Sequence, residues 1–280
     1  MFDYIFAVVA MLSFGLSPLF YKYVINANVS PVIANEIRAF MTLIIMLIYF
    51  IPSFLGIWKV TFYDIIMFAI VAFFGAFLGD TVYFYSLKYT DVSITAPVSS
   101  SYAIIIVIIM FAFFKESISI FEIIGGLIII LGIWIIQERT KRRMQKIGVF
   151  LALLSALFYA IAIVIMNIVL PSTSIESMVM FRIIFTLLFL LPLSISQGNF
   201  PKLPKIWILL GIGGFFGIGI GVVFMLYSME TIGVVATGLF SSASPMITSF
   251  LGIILFKERK SLIKIVGISL IIIGLIIVSI

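Results

Sequence analysis

One stretch of this chain is written twice. Phe74 to Ile136 returns without a gap, 142 positions later, as Phe216 to Val278. Phe114-Lys115-Glu116-Ser117 becomes Phe256-Lys257-Glu258-Arg259, and Tyr85-Ser86 becomes Tyr227-Ser228. Ser99-Ser100 becomes Ser241-Ser242, and Gly75, Gly79, Gly125 and Gly132 become Gly217, Gly221, Gly267 and Gly274. About 30% of the aligned positions are identical, which marks the duplication of half a fold. A shared apolar composition would match many Ile and Leu residues by chance. It would not hold the glycines, the serines and a Lys-Glu pair in one register.

The chain is 64% apolar and 10% charged over 280 residues, with a mean hydropathy of +1.37. A soluble domain is about 45–50% apolar and about 25% charged, so the inventory specifies an integral membrane protein whose first partner is the lipid bilayer. Cysteine and histidine are both absent. That removes disulfides, thiolate metal sites and the commonest proton shuttle, and no cofactor or metal is expected. The first apolar run lacks a basic leader and is read as a retained helix. The net charge of +6 fits basic loops on the cytoplasmic face of the cell (plasma) membrane, not a nucleic-acid partner.

A helix needs about 20 apolar residues to cross a bilayer. The expected spans are 4–24, 31–55, 65–87, 92–114, 118–136, 147–168, 177–195, 206–229, 233–256 and 262–279. This predicts an all-α integral membrane protein of ten transmembrane helices, arranged as two inverted five-helix repeats. The repeats are 1–138 and 147–280, joined by a basic loop at 139–146 that holds Arg139, Lys141, Arg142, Arg143 and Lys146. Five is odd, so the second copy enters the membrane from the other side, an arrangement found in secondary transporters with a midplane substrate site. Lys22, Lys88, the central loop, Lys202, Lys205, Lys257, Arg259, Lys260 and Lys264 fall on one side, against Lys59 and Lys115 on the other. That bias favours a cytoplasmic central loop and external termini.

Asn35 to Leu47 (NEIRAFMTLIIML) and Phe181 to Leu191 (FRIIFTLLFLL) each carry one arginine early in the second helix of a repeat. With Tyr85 to Gly132 and its second copy through Gly274, they make the chain resemble the drug/metabolite transporter superfamily, in particular its ten-helix EamA-type members. Glu116 with Gly125, and Glu258 with Gly267, match the family's ending of the fourth helix. The resemblance implies a metabolite transporter whose helices one, three, four, six, eight and nine surround a central cavity. Some relatives in the superfamily have both termini in the cytoplasm, opposite to the charge count.

Polar residues within the spans carry the functional information, because a polar group in hydrocarbon must face protein or water. Thr237, Ser241, Ser244 and Thr248 fall at i, i+4, i+7 and i+11, one face of the ninth span, which Pro245 is expected to interrupt, freeing backbone carbonyls near the stripe. Thr95, Ser99 and Tyr102 form the equivalent stripe in the fourth span, beside Pro97. These stripes either wall a cavity or bond helix to helix. Ser13, Ser17 and Tyr21, and Ser155, Tyr159 and Asn167, lie roughly on single faces of the first and sixth spans. Within the family resemblance, Tyr83, Tyr102, Tyr159 and Tyr227 become candidate groups for stacking on or hydrogen-bonding a substrate, with an interfacial anchor as the alternative for each.

Asp80 is the one carboxylate deep in a span, and its counterpart is Val222. It is a candidate for proton coupling, for pairing with a substrate cation, or for a static ion pair. Arg38 and Arg182 are expected to snorkel to the interface or to pair with Glu36 or Glu176, with anion binding as the alternative. Gly213, Gly217 and Gly221, four apart, serve close helix packing; no strand precedes them, so they are no dinucleotide loop.

The substrate cavity is therefore expected to draw on Ser17, Asp80, Tyr83, Thr95, Ser99, Tyr102, Tyr159, Asn167, Tyr227, Thr237, Ser241 and Ser244. The function this favours is secondary transport of small polar metabolites by alternating access, as export or exchange, by a monomer or weak dimer. A passive channel or facilitator is the alternative. Without a Walker A motif, or an acid/base pair at a workable spacing, neither ATP use nor catalysis is expected.

Overall fold

The computed structural model describes residues 4–53, 59–90, 92–136, 144–255 and 262–280. Among them every regular element is helical. The first repeat contains α1 (Ile5–Asn26), α2 (Pro31–Tyr49), α3 (Phe62–Ala72), α4 (Asp80–Tyr89), α5 (Val92–Ser99), α6 (Tyr102–Phe114) and α7 (Ile120–Ile136). The second contains α8 (Met144–Val169), α9 (Ile175–Gln197), α10 (Pro204–Gly214), α11 (Gly221–Ser242), α12 (Ser244–Leu255) and α13 (Leu262–Val278). Two π-helical segments, Phe73–Gly79 and Phe215–Ile220, join α3 to α4 and α10 to α11.

Local chemistry sets the helix starts. Pro31 and Pro204 begin α2 and α10, where a missing N–H costs nothing. Thr61 and Asp64 form a capping box on α3: the Thr61 hydroxyl accepts from the Asp64 N–H at 3.2 Å, and the Asp64 carboxylate accepts from the Thr61 N–H at 2.8 Å.

Among the described residues seven helices are long and apolar enough to cross a membrane: Ile5–Ile25, Pro31–Tyr49, Phe62–Tyr89, Ile94–Phe114, Lys146–Ser172, Ile175–Gln197 and Pro204–Thr248. Ile120–Ile135 and Ile265–Val278 are apolar but shorter. Polarity is distributed as lipid requires. Phe62, Phe111, Phe113 and Trp134 are exposed, while Asn35, Arg38, Thr42, Ser86, Thr186 and Ser228 are buried. A protein in water would turn this arrangement round.

Pro204–Thr248 runs 45 residues but is not straight. Gly233 has φ 79° and ψ 167°, outside helical space. The hydroxyls of Ser228 and Thr237 lie 2.7 Å apart across it. Nine residues along an uninterrupted helix would separate them by about 13 Å, so the chain doubles back at Gly233. The first repeat does the same with the equivalent residues: Ser86 and Thr95 are 3.0 Å apart, and Thr90 between them is extended.

The contacts between repeats are reciprocal. A Cβ at Gly125 of α7 would lie 2.7 Å from the Gly274 carbonyl oxygen of α13, and one at Gly132 would lie 2.7 Å from that of Gly267. Gly125 corresponds to Gly267 and Gly132 to Gly274, so each glycine meets the other's counterpart. The same exchange joins α1 to the second repeat and α8 to the first. Cβ atoms at Gly213, Gly217 and Gly221 would strike Tyr21, Ser17 and Phe14, and one at Gly79 would strike Tyr159. Glycine there permits backbone approach that no side chain allows.

Three expectations change. The fourth span is not one helix, since α5 and α6 meet at a turn over Ser100 and Ser101, and the interruption expected at Pro245 in the ninth falls two residues earlier, at Ala243. The proline rings of Pro97 and Pro245, which cannot join an uninterrupted hydrogen-bond ladder, stand near those breaks. The second span stops at Tyr49, followed by a 3-10 turn over Ile51–Ser53. Arg139, Lys141, Arg142 and Arg143 of the central loop, and Lys257, Glu258, Arg259 and Lys260, lie outside the described residues.

Candidate functional site

A cavity of about 150 Å³ lies where the two repeats meet. The first repeat lines it with Ser17, Tyr21, Arg38, Asp80, Tyr83 and Ser99, and the second with Tyr159, Met166, Arg182, Val222, Ser244 and Thr248, among others.

The polar centre of its wall is Arg38. This side chain is 1% exposed and does not snorkel; nor does it pair with Glu36. Its guanidinium donates to Asp80 at 2.6 Å and also to Asn35, one helical turn earlier on α2. The Tyr21 and Phe84 rings flank it, with centroids 5.3 and 5.1 Å from Cζ, a cation–π arrangement that suits a delocalised cation. Asp80 also accepts from the Tyr159 hydroxyl at 2.6 Å. The cluster therefore spans α2 and α4 of one repeat and α8 of the other. Its hydrogen bonds are charge-assisted, and they offset part of the desolvation of both ions.

The π segments supply the second layer. A π turn leaves local carbonyls without their usual helical partner, and side chains take them up. Asn35 donates from Nδ2 to the Ala76 carbonyl at 2.8 Å. Arg182 donates from Nη2 to the Ile218 carbonyl at 2.9 Å. Ala76 and Ile218 are equivalent positions 142 residues apart. Ile218 precedes Gly219, whose φ of −92° and ψ of −106° break the helix. The Ser17 and Tyr21 hydroxyls both donate to the Gly213 carbonyl.

Of the sequence-predicted residues, Ser17, Asp80, Tyr83, Ser99, Tyr102, Tyr159 and Ser244 reach the cavity wall. Thr95 and Thr237 lie off it: Thr95 is committed to Ser86 of the preceding helix and Thr237 to Ser228 across the break at Gly233, as the helix-bonding reading of the stripes has it. Ser241 is buried but is not among the lining residues. The break expected at Pro245 falls instead at Ala243, between Ser241 and Ser244, so the two serines do not continue one helical face. Asn167 lies two turns beyond Tyr159 and off the wall, and Tyr227 packs against Phe6 and Phe224 instead. The expectations for Arg38 and Arg182 are corrected: both are buried cavity residues, and Arg182 has no bond to Glu176. Tyr21 and Asn35 were absent from the predicted set. A signal was available, because Asn35 and Arg38 stand at i and i+3 on one apolar span while the single deep carboxylate lies on the next.

A model of the EamA-like transporter family matches residues 1–137 and 146–280. An uncharacterized transporter of Archaeoglobus fulgidus is 25% identical over 231 residues, covering 81% of this chain and 82% of that protein. One protein of known crystal structure superposes on 99% of this chain and 96% of its own with a TM-score of 0.79. Its 15% identity makes that a likeness of fold alone.

Proposed function

Because the chain belongs to the EamA-like transporter family, we propose that this multi-pass membrane transporter moves small polar metabolites, amino acids or related compounds, across the cell membrane by alternating access, as an exporter or exchanger. The carrying observation is a cavity walled by both repeats and crossed by the Arg38–Asp80–Tyr159 cluster. A site at the seam of two repeats is one that rocking of either repeat would open to one side.

Ten spans in two inverted sets of five underlie this reading. At 1.5 Å per residue the 45-residue segment would measure about 67 Å, more than twice a hydrocarbon core, so it counts as two passes folded at Gly233. With the two shorter apolar helices the passes number ten. The reciprocal Gly125–Gly274 and Gly132–Gly267 contacts support a two-fold relation, since self-complementary contacts are what such an axis generates. The division of the family match at 137 and 146 supports the boundary between repeats. One chain encloses the cavity, which supports function as a monomer or weak dimer.

Coupling in this reading runs through Asp80. A proton there would cancel the pair with Arg38 and loosen the tie to the second repeat. Purified protein in liposomes provides the test: saturable counterflow is expected, whereas ohmic conductance would replace the carrier with a channel. Asp80→Asn should abolish the pH dependence of the flux, and an unchanged pH profile would remove proton coupling at this residue.

A further inference from the structure

The two repeats treat their second-helix arginines differently. Arg38 has Asp80 at 2.6 Å. Arg182 is its counterpart, but Val222 stands where the second repeat would carry the equivalent of Asp80. Arg182 and Val222 both line the cavity. Arg182 is 5% exposed; Nη2 bonds to the Ile218 carbonyl and Nε has no partner. Among the described residues no carboxylate bonds to it, and Asp80 is already held by Arg38 and Tyr159. A guanidinium keeps its proton in a protein, and an unpaired one away from water is strongly disfavoured. The wall thus holds one surplus positive charge, with Val222 at the position equivalent to Asp80.

We propose that Arg182 anchors an anionic group of the transported molecule, and that the substrates are small organic carboxylates. This rests on the transporter reading and narrows its substrate class. The carboxylate takes up at Arg182 the role that Asp80 has at Arg38. The rest of the molecule faces Phe14, Met166, Val222 and Met225 together with the hydroxyls of Ser99 and Ser244, so a largely apolar body with a hydrogen-bonding substituent fits. A cavity of about 150 Å³ in a protein interior accommodates a benzene-sized body. With Asp80 committed to Arg38, a cationic substrate finds no free carboxylate on the described wall.

Thermal unfolding of the purified full chain in detergent tests this, because a ligand of the native state raises the apparent melting temperature. Sodium benzoate and butyrate are compared with benzamide and butyramide, against equal sodium chloride. The carboxylates should raise the melting temperature, and the amides and chloride should not. Arg182→Gln should weaken the apparent benzoate affinity about tenfold or more, with Arg182→Lys retaining part of it. Val222→Asp should raise the ligand-free melting temperature and lose the benzoate response, having supplied the missing carboxylate internally.

Equal shifts with the amides, no shift with either carboxylate, or an undiminished response in Arg182→Gln would overturn the anchor. A shift with chloride as large as with benzoate would mean an adventitious ion only. If Arg182→Gln does not fold, the wild-type comparison and Val222→Asp decide. Counterflow of labelled benzoate separates the two readings. Binding without counterflow keeps the anchor and removes the carrier, and counterflow confined to neutral solutes does the reverse.

Discussion

Arg38 and Asp80 lie 42 residues apart in sequence and 2.6 Å apart in the fold, and both are largely buried. Removing one partner of a buried ion pair strands the other. Asp80→Asn should therefore destabilise the protein by about 3–5 kcal/mol, while Arg38→Gln/Asp80→Asn should cost less than the single change. Denaturant unfolding of Asp80→Asn, Arg38→Gln and the double variant measures this; a double variant as costly as the sum of the singles would show that the two residues are not coupled. Tyr159→Phe removes one donor to the same carboxylate and should cost about 1.5–3 kcal/mol in the same assay. Asp80 was legible from the sequence because it is the lone deep carboxylate. Its partner was not. An arginine one turn into a span reads equally well as an interfacial residue, and only the packing of α2 against α4 decides between them.

At the scale of helices, the duplication made the glycines legible but not the π segments. Gly75, Gly79, Gly217 and Gly221 stood out by register, and each proves to be a point of close approach. A π turn needs one extra residue per turn, and no composition signals it in a run such as Phe73–Gly79. The polar stripes failed in part for the related reason that a face can be projected only along an unbroken helix. The glycine contacts carry a graded prediction. A Cβ at Gly125 would lie 2.7 Å from a backbone oxygen of α13, which cannot yield without separating the helices. At Gly126 the nearest atom is a methyl of Leu239, the end of a flexible side chain. Gly125→Ala should cost about 1–3 kcal/mol and Gly126→Ala measurably less, as read by thermal unfolding. Equal effects would contradict tight α7–α13 packing.

For the molecule as a whole, helical class, membrane setting and duplication were readable, since hydropathy and register are properties of long segments. Where the chain folds back was readable only in part. Gly233 opens the ninth span and leaves helical space, and Pro245 marks a break there to within two residues, but the turn over Ser100 and Ser101 in the fourth span depends on how α5 meets its neighbours. The account rests on the repeats having opposite orientations, and Lys88 and Glu230 bear on it most directly. They are equivalent positions, 142 residues apart, and both are exposed. The natural chain has no cysteine, so Lys88→Cys and Glu230→Cys each introduce a single thiol. Labelling intact cells with an impermeant maleimide should modify one of the two and reach the other only after permeabilisation, with Glu230→Cys the external one by the charge bias. If both are labelled from outside, or neither is, the repeats are not inverted and the alternating-access account fails.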